Sequence, residues 1–145
     1  MYQRILLCYD GTEEGRNALK EGAEVAIAMQ ADTHLLAILR TTGGMAVPDG
    51  YNECYIKAED DAAQQILGVG VRWLNERGLE AHGHIAYGDP INEIPLKARE
   101  LGIDLIVVGH RNRSTLARWW SDAEDATLLE LSPCSILVVV VADKS

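Results

Sequence analysis

The segment Gly109-His-Arg-Asn-Arg-Ser-Thr115 gathers more chemistry than any other stretch of the chain. Gly109 permits close backbone approach to a ligand, while Arg111, Arg113, Ser114 and Thr115 supply donors suited to phosphate oxygens. The alternative for the same residues is a solvated loop with ordinary turn chemistry. Further polar groups stand at Asp10-Gly11-Thr12, Leu39-Arg40 and Gly88-Asp89, each following a short apolar run. His82 and His84 lie at alternate positions and would share one face of a strand, which offers a weak metal pair with no third ligand evident. Structural or surface roles are the expectation for these two and for His34 and His110. Cys8, Cys54 and Cys134 show neither a C-x-x-C pair nor metal-ligand spacing, and are read as reduced packing residues. Cys134 has no base placed beside it and is a poor nucleophile candidate. No catalytic residue and no metal ligand is assigned.

The rest of the chain must position these groups. Its 145 residues carry 13 Lys+Arg against 22 Asp+Glu, a formal charge of −9, with 48% hydrophobic and 24% charged residues. That is one globular domain, 1–145, with material for a core and no resemblance to a disordered tail. The negative field repels phosphate backbones, so nucleic acid is not an expected partner. The N-terminus lacks the pattern of a signal peptide and no apolar run approaches the ~20 residues of a membrane span. The expectation is a soluble cytoplasmic protein that does not engage membranes.

Short unalternated apolar runs at 4–9, 33–39, 104–109 and 135–141 read as strands buried on both faces. The run 81–87 alternates more, as a strand near a sheet edge would. Between them, 13–30 places Ala18, Leu19, Gly22, Ala23, Ala26 and Met29 at helical spacing, and 53–77 does the same with Ala62, Ile66, Val69 and Trp73 before Gly78 as C-cap. Gly68 and Gly70 weaken that second helix locally. Asp89 can cap a third helix that begins at Pro90, although Pro95 favours a kink or a later start at Asn92. The order βαβαβαβαβ predicts an α/β fold: an open parallel five-stranded sheet with helices on both faces. Ligands in such sheets bind beyond the carboxyl ends of the strands, where strand order reverses.

Taken in order, Ile5-Leu-Leu-Cys-Tyr-Asp10-Gly-Thr12, Gly88-Asp-Pro90, Asp104-Leu-Ile-Val-Val-Gly109-His-Arg111 and Ser132-Pro-Cys134-Ser-Ile-Leu-Val138 resemble the universal stress protein (UspA-like) family over nearly the whole chain. The resemblance implies an adenine-nucleotide alpha-hydrolase-like sandwich, commonly dimeric. ATP-binding members carry G-x-x-G-x9-G-[S/T] from the end of the fourth strand. Laid on this sequence, Gly109 keeps the first glycine, but Asn112, Asp122 and Ala123 occupy the other three positions. Asp10 and Ile38 match the family's adenosine-side positions. The candidate nucleotide-binding set is therefore Asp10, Ile38, Gly109, Arg111, Asn112, Arg113, Asp122 and Ala123, read as degenerate.

The departures have a physical meaning. Ser121 and Glu124 form a capping box that would satisfy the donors of the following helix. Asp122, Glu124 and Asp125 put three carboxylates in its first turn, each favoured by the helix dipole by roughly 0.3–1 kcal/mol and each repelling a triphosphate. Arg111, Arg113 and Arg118 either attract an anion or pair with these acids. Trp119 and Trp120 cannot both face one side of a helix; core or dimer packing is expected, with a lid over the site as the rival reading.

The functional expectation is a non-enzymatic, stress-response regulatory protein without a bound cofactor. It would act as a homodimer through Ser135 to Val141, whose uncharged edge needs cover, and through contacts with protein partners or a small ligand. The alternative is an ATP- or AMP-binding molecular switch of the same family. A phospho-accepting receiver domain shares the element order, and Asp10 and Lys144 invite the comparison. It would need a hydroxyl after the fourth strand, where Gly109-His110 has none, and an acceptor at Asp89, which is better explained as a helix cap. The sequence assigns no contact to the loop from Arg40 to Asn52.

Overall fold

A computed structural model of the chain describes residues 2–9, 13–39, 52–111 and 122–141. The elements run β1 (Arg4–Tyr9), α1 (Glu13–Met29), β2 (Asp32–Leu39), α2 (Asn52–Glu76), β3 (Ala81–Tyr87), α3 (Pro90–Leu101), β4 (Leu105–Arg111), α4 (Asp122–Leu131) and β5 (Ser135–Val141). All neighbouring strands pair in parallel, in the order β3-β2-β1-β4-β5. The order reverses at β1: β2 and β3 are laid down on one side of it, β4 and β5 on the other.

β1, β2 and β4 are buried on both faces because each face has its own pair of helices. β5, expected from the same apolar pattern to be buried likewise, is instead an edge strand on which Ser135 and Val138 are exposed and Ile136, Leu137 and Val139 only half-buried. Leu6, Cys8, Leu36, Ile38, Ile106 and Val108 pack against Ile91, Ile94 and Ala98 of α3 and Leu128 of α4. Ile5, Leu7, Tyr9, Leu35 and Val107 face the other way, against Leu19, Ala23 and Ala26 of α1 and Leu74 of α2. Each fully buried aliphatic side chain of this kind contributes about 1.5–3 kcal/mol.

Three details differ from the sequence expectation. In α2 the inward positions are Ala63, Gly70 and Leu74, whereas Ala62 and Val69 are exposed, so the buried stripe lies one residue further along. Gly70 is part of that contact: a Cβ there would stand 2.6 Å from Leu35 Cδ2 and 3.3 Å from the Tyr9 ring, so the missing side chain lets the helix approach the sheet. In α1, Met29 is exposed while Ala18 to Ala26 hold the core.

The third helix starts at Pro90, without the later start at Asn92. Asp89 caps it, its Oδ1 accepting from the Ile91 amide at 3.1 Å, and Pro90 needs no donor in the first turn. Pro95 is accommodated inside the helix and is buried. Gly102, at φ 66°, ends it in the left-handed conformation. Gly78, at φ 84°, closes α2 as expected.

Among the described residues no helix is long and apolar enough to cross a membrane.

Candidate functional site

The site begins with a difference in ladder length. β1 pairs with β4 over only three positions, ending at Leu7↔Val107, while β4 continues beside β5 to Arg111↔Val141 and β1 beside β2 to Tyr9↔Ala37. Among the described residues the pairing of the two central strands therefore ends at Leu7 and Val107. This opening lies at the carboxyl ends of the strands and at the reversal of strand order, where an open α/β sheet binds ligands.

Gly109 lies on the β4 side of this opening, half-buried and paired with Val139. β4 runs two residues further than the apolar pattern indicates, so Arg111 closes the strand rather than opening a loop. Ile38 is near the end of β2, 2% exposed, with its side chain in the core on the α3 side. Asp122 and Ala123 form the first turn of α4. Asp10, Asn112, Arg113, Arg118, Trp119, Trp120 and Ser121 lie outside the described residues, as does the segment 40–51.

Sequence reasoning missed a second concavity on the opposite face. A cleft of 240 Å³ opens between α1 and α2, with Tyr9, Arg16, Arg72, Trp73 and Glu76 on its walls. The Arg77 guanidinium sits 3.4 Å from the centroid of the Trp73 indole and donates to the Trp73 carbonyl at 3.1 Å. The opposite charges Arg72 and Glu76 and the indole of Trp73 stand in the sequence as neighbours on one helix, but only the crossing of two helices turns them into a wall.

A third cluster forms at the amino end of the sheet. The β2–β3 register sets His34 opposite His82 and Leu36 opposite His84, bringing three imidazoles onto one face. His34 Nδ1 lies 2.9 Å from His84 Nε2, and His34 Nε2 lies 3.1 Å from Asp32 Oδ2. His82 Nε2 reaches Asp32 Oδ1 at 3.4 Å. The pair seen in the sequence thus acquires a third imidazole and a carboxylate. Among the described residues, however, no group of three or more His, Cys, Asp or Glu could hold a metal ion. The imidazole nitrogens point at one another and at Asp32, so their lone pairs do not converge on an empty point. Burial, followed by the neighbouring His34 and Lys97, holds the His84 pKa below the ordinary imidazole value.

Burial drives the Cys8 thiol far above the usual thiol range, with Cys134 adding to the effect, and burial also raises Cys134. Both are free and neither is poised as a thiolate.

The family model "Universal stress protein family" matches residues 1–140. The chain belongs to the universal stress protein family. It is 29% identical over 147 aligned positions to universal stress protein YxiE of Bacillus subtilis, covering 96% of this chain and 99% of that one. The solved universal stress protein UspA from Lactobacillus plantarum shares 22% identity, with 95% and 97% of the chains covered and a TM-score of 0.77. The universal stress protein from Archaeoglobus fulgidus, solved in complex with dAMP, shares 18% identity over 95% and 98% of the chains with a TM-score of 0.63. The α/β fold with a five-stranded parallel sheet is thus that of universal stress protein domains.

Proposed function

We propose that this universal stress protein is a non-enzymatic regulatory member whose central crevice has lost the grip on a triphosphate. The observation that carries the reading is the parting of β1 and β4 beyond Leu7 and Val107. It provides a ligand crevice, but the phosphate side of that crevice is written with Asn112, Asp122 and Ala123 in place of two glycines and a hydroxyl. Side chains there obstruct backbone approach, and the acids of Asp122-Ala-Glu-Asp125 oppose an incoming anion.

A second reading rests on a separate observation. The solved relative with dAMP carries one phosphate rather than three. A nucleoside monophosphate uses the adenosine side, for which Asp10 and Ile38 are the candidates, and asks little of the altered phosphate loop. Arg111 and Arg113 supply charge for one phosphate. On this reading the ligand is AMP-like.

The working form in this proposal is a cytoplasmic homodimer joined through β5, with protein partners engaged by contact. β5 is the last strand of the sheet, and Val138 is 43% exposed on it. An uncharged apolar edge of this kind calls for cover. The cytoplasmic setting rests on cysteines with neither a paired spacing nor a metal-binding one.

Native mass spectrometry of the freshly purified chain, repeated with ATP, ADP and AMP, tests these readings together. A dimer that takes up none of them supports the contact role. AMP binding without ATP binding moves the second reading ahead. ATP bound tighter than about 10 μM, a free energy near −6.8 kcal/mol, overturns the loss of the triphosphate grip. A monomer at micromolar concentration overturns the dimer.

A further inference from the structure

We propose that the His84–His34–Asp32–His82 cluster is a proton-responsive fastener of the β3 edge, whose central His34–His84 pair holds one added proton in place and lets go when a second arrives. The contacts fix the proton positions. With Asp32 ionised, its two oxygens accept from His34 Nε2 and His82 Nε2, at 3.1 and 3.4 Å. His34 Nδ1 is then bare, and the 2.9 Å contact requires His84 to donate from Nε2. One arrangement of neutral imidazoles satisfies every contact.

A first added proton makes His34 an imidazolium beside the Asp32 carboxylate, donating to His84, which shifts its own proton to Nδ1. Nothing need move. A second proton on the pair places N–H against N–H at 2.9 Å and sets two cations side by side, so His84 must turn away. His84 faces Lys97 and Glu100 from α3, His34 from β2, and His82 from its own strand. Glu100 is the carboxylate that favours a charged His84, but it is already held by Lys97 at 3.1 Å. The turned imidazolium therefore competes with Lys97 for Glu100.

The His84–His34 and His82–Asp32 contacts are polar side-chain links between β3 and β2 on this face. Losing the first frees the edge strand at its amino half. The sign follows from burial: His84 binds a proton less readily in the folded chain than in the unfolded one. Its contribution to stability is complete above the ordinary imidazole pKa of about 6.5 and is lost as pH falls toward the lower folded-state value.

The test is imidazole NMR titration of the full chain from pH 8 to 4.5, paired with amide hydrogen exchange of residues 81–87 corrected for intrinsic rates. The His84 imidazole is expected to take up its proton below the ordinary imidazole range, and that uptake should move the ring signals of His34, which it contacts. Exchange in β3 is expected to accelerate at least about tenfold from pH 7.5 to 5. In His84→Gln, which keeps a donor and an acceptor at a partly exposed position, the acid acceleration should vanish. Protonation of His84 that leaves the His34 ring signals unmoved in the unaltered chain overturns the proposal, even if the variant folds poorly. Acid acceleration that persists in a folded His84→Gln chain overturns it as well.

Discussion

The two ends of the sheet are built on opposite plans. At the amino end, Asp104 accepts the Gln3 and Arg4 amides at 2.8 and 3.0 Å, and the Arg4 guanidinium donates to the Leu101 carbonyl at 3.1 Å. The Asp32 amide donates to the Gln3 carbonyl at 2.8 Å, and the histidine cluster adds its own links. At the carboxyl end the ladder between β1 and β4 stops at Leu7 and Val107. At the second end the described ladder between the two central strands stops short, while backbone groups at the first hold the strands together. On the proposed function, stability and recognition fall at opposite ends of the same strands, and one should be alterable with little effect on the other.

The largest change is expected at the carboxyl end. The triple variant Asn112→Gly, Asp122→Gly, Ala123→Ser writes back two glycines and a hydroxyl, and ATP affinity should rise by about 100-fold, equivalent to about 2.7 kcal/mol. Isothermal titration measures it, and an unchanged affinity would remove the argument from the phosphate loop. At the amino end, Asp104→Ala releases two backbone amides from a carboxylate and should cost about 2 kcal/mol in urea unfolding, with ligand binding untouched. A loss of binding in that variant would break the separation between the ends.

Asp89→Ala sharpens the contrast, since Asp89 stands at the carboxyl end of β3 yet serves as a cap. It should lower stability by about 1 kcal/mol and leave nucleotide response as it was. The smallest effect is electrostatic. Stability should decline more steeply between pH 7 and 5 than in His84→Gln, because only the unaltered chain has a folded state that resists taking up this proton. Parallel urea midpoints in the two chains across that range would argue against it.

Element order, the edge position of β3, the Asp89 cap and the Gly78 terminus were all legible in the sequence. Each is a local signal: an apolar run, a turn residue, a carboxylate before proline. The buried stripe of α2 was misplaced because Val69 and Trp73 are bulkier than Gly70, and hydropathy does not register a contact made by a missing side chain. Pro95 was weighed as an obstacle on local grounds, yet a helix packed through Ile91, Ile94 and Ala98 bears the loss of one backbone bond. The histidine cluster needed the β2–β3 register, which places residues 50 apart in contact. Of the nucleotide set, the sequence supplied the positions through family resemblance, and the fold places Gly109 and Ile38 in the carboxyl-terminal halves of β4 and β2, two residues and one residue before those strands end.

The clamp at Asp104 also bears on how the chain reaches its fold. It joins residues 101 apart in sequence, so the central strand acquires its second neighbour only after three helices have been made. As the chain emerges from the ribosome, β1, β2 and β3 can assemble first with α1 and α2, leaving one flank of β1 open until β4 arrives. β4 in turn offers a bare edge until β5 is complete. Such distant closure slows folding and lengthens the time that an apolar strand stands uncovered. The half-built sheet, with β4 in place and β5 still to come, is the species a chaperone would meet.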